Sequence, residues 1–170
     1  MVTSLDSEIG AADWHVREVF AAFGLAIYES NCLEQGLQIL LLTAWSDRAL
    51  TGRGYTVSLE SLSRRTFGQL LLLAKSRPNS DATLIGLLES ALETRNRLAH
   101  RYFEEHAAAF MFADGQERMR TELHDTAERL QALHSSISLL VRRWGQERGV
   151  GEQDYDQAER DLLHEYLQQQ

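Results

Sequence analysis

The sequence has a single cysteine, Cys32, and a single proline, Pro78. One thiol closes no intramolecular disulfide and builds no cysteine-based zinc or iron–sulfur site within a chain. A reducing compartment fits that usage, and a cytoplasmic protein is expected. Long apolar runs are also missing. The most apolar stretch, Gly36 to Trp45, is interrupted by Gln38 and ends at Ser46-Asp47, well short of the roughly 20 residues that a membrane-spanning helix needs. No membrane association is expected. Residues Met1 to Gly10 contain Asp6 and Glu8 and lack both the basic and the apolar regions of a secretory signal. Positive charge is scarce: 17 Lys and Arg face 25 Asp and Glu, a formal net charge of −8. Such a surface repels phosphate backbones over most of its area, so any RNA contact must be local. No P-loop, glycine-rich dinucleotide fingerprint or Gly-x-Ser-x-Gly nucleophile elbow occurs. The six histidines include none that shares the face of His100 at a metal-binding spacing of i, i+4, so neither a metal nor another cofactor is expected. His106, His124, His134 and His164 read as solvated helix-surface residues, and Trp14, Trp45 and Trp144 as core or interface anchors.

What is present points to helices. With 44% hydrophobic and 25% charged residues over 170 positions, the chain has the composition and length of one globular domain. Leu, Ala, Glu, Gln and Arg lose little side-chain freedom in a helix, whereas proline breaks one. The fold class is therefore all-α. A first helix is predicted from Asp13, as N-cap, to about Asp47, and Thr51 to Ser58 reads as a loop. A second, shorter helix enters at Ser58 to Ser61 and ends near Ser76, before the Arg77-Pro78-Asn79-Ser80 break. The third runs from Asp81 to about Met111, where Ala113-Asp114-Gly115 ends or bends it. The fourth runs from about Gln116 to Glu147. Gly149 to Gly151 makes a hinge to an amphipathic tail helix, Asp154 to Leu167, whose Tyr155, Leu162, Leu163, Tyr166 and Leu167 call for a covering surface. The predicted architecture is an up-and-down four-helix bundle with antiparallel neighbours and an extra C-terminal helix. In domain terms, residues 1–12 form a flexible N-terminus, 13–148 the bundle and 152–170 the tail.

Periodicity then singles out charges in unexpected places. At about 100° per residue, Leu84, Leu87, Leu88, Ala91, Leu92, Leu98 and Ala99 form one apolar stripe on the third helix. Arg95 and Tyr102 fall near its centre, and Asn96 and His100 line its edge. A guanidinium on a buried arc is costly unless it is paired or sits beside a wet cleft. On the first helix, Val16, Phe20, Phe23, Ile27, Leu41 and Trp45 share a face with Glu34 in its middle. Glu34 is therefore predicted to approach Arg95 or Tyr102 across the two helices. That pairing has two readings, a functional site or a buried ion pair that fixes helix register. Basic residues also gather at Arg64-Arg65 and at Arg95, Arg97 and Arg101, a pattern that a solvated face produces as well.

The segment Arg95-Asn96-Arg97-Leu98-Ala99-His100-Arg101-Tyr102 carries Arg, four residues, His, one residue and Tyr on a late helix. This resembles the R-x4-6-H signature of HEPN domains, with the Tyr extension of HEPN toxins. Asn96 matches the polar residue that the family prefers after its Arg. Phe23-Gly24-Leu25-Ala26, Glu34 and Thr66-Phe67-Gly68-Gln69-Leu70 are similar to segments of small bacterial HEPN-like proteins, so the resemblance spans roughly Asp13 to Arg143.

The resemblance implies a homodimer in which two motif helices face each other across one composite cleft. Arg95 and His100 are five residues apart, about 140° beyond a full turn, so one chain alone does not aim both at one phosphate. In ribonucleases of the family a 2′-hydroxyl attacks the adjacent phosphate without a metal. His100 would serve as general base or acid, Arg95 would stabilise phosphoryl charge and Asn96 would orient one of these groups, with Glu34, Arg97 and Arg101 in support. Tyr102 would line the cleft or accept a nucleotide from a nucleotidyltransferase antitoxin. The acidic chain, with Glu104-Glu105 directly after the motif, keeps a non-catalytic dimeric module in play. A nucleotide or small-ligand site between helices is a third reading.

Overall fold

A computed structural model describes residues 3–45, 61–77 and 81–151, together with Gln153 and Arg160, and only the backbone of residues 3–13 and Trp45. The tail helix, the 51–58 loop and the side chain of Trp45 therefore lie outside the described residues. The helices are α1 (Thr3–Trp45), α2 (Phe67–Lys75), α3 (Ala82–His100), α4 (Tyr102–Glu105), α5 (Ala107–Phe110) and α6 (Ala113–Gln146). Among the described residues there is no strand, and no helix is long and apolar enough to cross a membrane.

The all-α expectation holds, while several boundaries and one direction differ from the predicted bundle. α1 begins at Thr3, ten residues before Asp13, and its 43 residues make a rod of about 65 Å. Residues 61–63 are helical, as predicted, but the second helix is interrupted by a turn at Arg64 and Arg65, and Thr66 caps the helix α2 that follows. Its hydroxyl accepts from Gln69 N at 3.4 Å, and Gln69 Oε1 accepts from Thr66 N at 3.0 Å, a reciprocal capping box written in the sequence as Thr-x-x-Gln. α3 starts as predicted, with Asp81 Oδ1 accepting from Thr83 N at 2.8 Å and Leu84 N at 3.3 Å.

α1 and α6 make the most extensive contact in the molecule. Val19, Ala22, Ala26, Glu29, Leu33, Gly36 and Leu40 are buried on α1, and Gln116, Met119, Leu123, Thr126, Leu130, Leu133 and Ile137 on α6. Both rows alternate steps of three and four, the spacing that keeps one helix seam facing another. The buried row on α1 lies beside the predicted one, leaving Phe20 52% exposed. Small residues let the axes approach, and a Cβ on Gly36 would lie 2.9 Å from the His134 ring.

The contacts also set direction. The charges of His15 and Glu18 act on Glu117 and Arg120, Gly36 faces His134 and Ile137, and Leu40, Leu41 and Ala44 share a cavity with Leu140 and Trp144. Both numbers climb together, so α1 and α6 run parallel. The antiparallel arrangement applies to α3, which returns between them: Leu88 joins the core of Leu37 and Ile137, and Leu98 joins that of Val19 and Met119. A parallel pair is possible because residues 46–112 form one long crossover between the two helices.

α3 ends at His100, about ten residues before its predicted end, and the chain proceeds through α4 and α5. Aromatic packing explains the break. Phe103 lies 4.9 Å from Phe23, 5.5 Å from Phe20 and 5.9 Å from Phe110, centre to centre, and burying such rings outweighs the small helical propensity of the segment. Gly115 sits inside α6 rather than ending a helix. A Cβ there would meet Ala109 O at 2.0 Å, so only glycine lets α5 fold back onto α6.

Candidate functional site

The motif residues divide over two sides of the α3 terminus. On the open side, Asn96 and His100 are exposed and Arg95 is half-buried. Arg95 Nη1 donates to Asn96 Oδ1 at 3.4 Å, which ties the first two residues of the motif together. Across the seam, burial holds the Glu34 carboxyl above its usual range and the Arg95 charge pulls it back only in part. The Arg95 charge thus acts on Glu34. Among the described residues, however, Arg95 has no carboxylate within ion-pair distance.

The predicted burial of Arg95 is corrected to half-exposure. Leu88, Ala91, Leu98 and Tyr102 form the buried seam, and although Arg95 continues its spacing, the helix edge opens to solvent at that level. Leu87 and Ala99, predicted within the apolar stripe, are exposed. They lie to either side of the true seam.

The other side is closed and salt-bridged. Arg97 Nε donates to Glu105 Oε2 at 2.5 Å and Arg97 Nη1 to Glu122 Oε1 at 2.7 Å. His106 Nε2 lies 2.9 Å from Glu122 Oε2, and its Nδ1 lies 2.8 Å from Tyr102 O. Donating to Glu122 and Glu105 holds the proton on Arg97, and accepting from Arg97 keeps the Glu105 carboxyl below its usual range. Arg101 Nε reaches Glu105 Oε1 at 3.6 Å. The network crosses from α3 through α4 to α6, and its exposed members contribute modestly to stability.

Tyr102 is the hub of that closed side, only 1% exposed. Its hydroxyl donates to Met119 O at 3.2 Å, its ring stacks on His106 at 4.3 Å, and the Arg97 guanidinium carbon lies 5.4 Å from the ring centre. Burial first, then the Glu122 charge, push its phenol well above the usual range, with Arg97 opposing. The structure therefore places Tyr102 in the core, not in a cleft, and brings it to Met119 rather than to Glu34. It also ties Arg97 and Arg101 to Glu105, whereas Arg95 bonds to Asn96.

Sequence reasoning has no means to connect His106 with Glu122. Helical spacing marks His106 as a surface residue, but it is largely buried within the network. Their i, i+16 separation belongs to no helical period. Trp14, expected as an anchor, is 53% exposed, whereas Trp144 packs on the Leu40 end of the core. His164 lies outside the described residues. Among the described residues, no group of three His, Cys, Asp or Glu is placed to hold a metal ion. Set against protein-family models, curated proteins and solved structures, the chain matches none.

Proposed function

We propose that the chain is a HEPN-like homodimeric protein acting as a metal-independent endoribonuclease of toxin or defence type. The observation that carries the reading is the open side of α3: Arg95, bonded to Asn96 and unpaired with any described carboxylate, precedes an exposed His100 by little more than one helical turn. Chemistry of this kind needs a group that transfers a proton and a planar cation for the phosphoryl oxygens, and the end of α3 supplies an imidazole and a guanidinium. In the reaction, His100 removes the proton of an RNA 2′-hydroxyl as its oxygen attacks the adjacent phosphorus. The bond to the 5′-oxygen breaks, and that oxygen takes a proton from an imidazolium, which in the composite cleft is His100 of the second copy. The products are a 2′,3′-cyclic phosphate and a 5′-hydroxyl. Arg95 offsets the charge that gathers on the non-bridging oxygens.

The second copy is required because Arg95 and His100 leave the helix in different directions. Tyr102 takes no chemical part in this proposal. A nucleotidyltransferase partner that modified Tyr102 would first have to draw its ring out of the core.

The test is cleavage of single-stranded RNA in excess chelator by the parent, Arg95→Ala and His100→Ala proteins, alongside sedimentation equilibrium. A dimer whose cleavage falls at least 100-fold in both variants supports the proposal; equal cleavage by all three, or a monomer at working concentration, refutes it. A non-catalytic dimeric module is the second reading. The Arg97–Glu105–Glu122–His106 network favours it, because half of the motif's cations are committed to holding the fold.

A further inference from the structure

In this acid-rich chain several described cations are neutralised in place, and the exposed Arg129 donates to Thr126 Oγ1 at 3.1 Å. Lys75 is paired with Glu89, Arg97 with Glu105 and Glu122, Arg101 with Glu105, Arg118 with Asp114, Arg120 with Glu117, and Arg143 with Glu147. Arg64 and Arg65 differ. Both are exposed, and among the described residues neither has a carboxylate within ion-pair distance. Arg95 shares that condition.

The packing of α2 on α3 relates Arg64 and Arg65 to Arg95. α2 packs on α3 and runs antiparallel to it: Ala74 shares a cavity with Leu84, Ile85 and Leu88, Lys75 pairs with Glu89, and a Cβ on Gly68 would lie 3.7 Å from Leu92 Cδ2. That order puts the turn at residues 64 and 65, just before α2, toward the end of α3 that carries Arg95 and Asn96. The turn that carries them is held at both ends. Leu62 is buried in the core, Arg65 N donates to Leu62 O at 2.9 Å, and the Thr66–Gln69 capping box fixes the start of α2. The two side chains are therefore presented from a built turn rather than from a loose loop.

We infer that Arg64 and Arg65 extend the Arg95 side of α3 into a surface that holds the phosphodiester backbone of single-stranded RNA next to the scissile bond. The inference rests on the endoribonuclease reading for its choice of ligand. Its physical basis is independent: a chain of net charge −8 repels RNA at long range, so retention depends on a local group of cations not already bound to carboxylates. Guanidinium forks suit phosphate oxygens because two parallel N–H groups meet two acceptors. Backbone contacts of this sort position a strand without reading its sequence.

The experiment is fluorescence anisotropy with a labelled single-stranded RNA over a range of salt, using the full chain with His100→Ala to prevent turnover. Adding Arg64→Ala and Arg65→Ala should weaken binding about tenfold or more and flatten the slope of log Kd against log salt by about 1.4, roughly 0.7 for each phosphate no longer neutralised. The paired Lys variants should recover most of that slope, since charge is kept. With His100 intact, the Ala pair should raise KM and leave kcat near the parent value.

Binding and salt slope equal to those of the parent overturn the inference. If RNA binds in an Arg64- and Arg65-dependent way but is never cut, the surface stands and the endoribonuclease reading falls. If the parent cleaves RNA and the Ala pair matches it, only the inference falls. If the parent binds no RNA, both fall. Unchanged helical circular dichroism in the Ala pair checks that folding is intact.

Discussion

Arg95 and Arg97 are two residues apart on the same helix, yet their surroundings are opposite. Arg97 is held by two carboxylates and lies beside a buried tyrosine ring, whereas Arg95 has a single side-chain bond, to its neighbour Asn96. Two residues rotate a helix by about 200°, which carries one guanidinium to the α6 side and leaves the other at the opening between α1 and α3. A cation whose hydrogen bonds go to fixed carboxylates has its donors occupied; one with free donors beside solvent is available to a ligand. Within a single motif, residues that hold the fold are thus distinct from residues available for chemistry.

The largest effect should come from the hub of the closed side. Tyr102→Ala removes a fully buried ring and its bond to Met119 O, and urea unfolding should show a loss of about 3–5 kcal/mol. Tyr102→Phe, which deletes only the hydroxyl, should lose about 1 kcal/mol. If Tyr102→Ala were neutral, the closed side would not be structural. Next, Arg97→Ala removes the guanidinium that joins Glu105 to Glu122, leaving Arg101 beside the first and His106 beside the second. The side chains are about one-third exposed, so solvent screening reduces the effect, and a loss of about 1–2 kcal/mol is expected.

Arg95→Ala should change stability by less than about 0.5 kcal/mol while removing RNA cleavage. A stability loss as large as that of Arg97→Ala would erase the distinction between the two arginines. The smallest effect concerns Glu34. Its folded pKa is raised above the ordinary 4.5, so the folded state binds the proton more tightly than the unfolded chain, and its charge subtracts stability as pH rises from about the unfolded value through the folded one. Glu34→Gln should therefore be slightly more stable than the parent at pH 7, with the difference shrinking as pH falls below 4.5. Paired thermal melts at pH 3.5 and pH 7 would read this directly, and a Gln variant that is less stable at pH 7 would mean that Arg95 contributes more to Glu34 than burial removes.

Parts of this arrangement are legible in the sequence. Asp81 as a helix cap follows from local chemistry. The capping box at Thr66 is equally local, but apolar Leu59 and Leu62 point to an earlier helix and mask it. The early end of α3 is not legible: Arg101-Tyr102-Phe103 is compatible with a continuing helix, and only Phe20, Phe23 and Phe110, distant in sequence, make another path better. The burial of Tyr102 and the role of His106 depend on the same event.

By itself, the sequence determined that this chain is helical, where α3 begins and which segment carries an Arg–His pattern, because capping, proline scarcity and apolar period act over a few residues. Tertiary structure alone decided that α1 and α6 run parallel, that Tyr102 is buried and that Arg97 is tied to Glu105 and Glu122 while Asn96 and His100 stay exposed. Those outcomes depend on which seams bury the most apolar area together, a property of pairs of helices that no single helix contains.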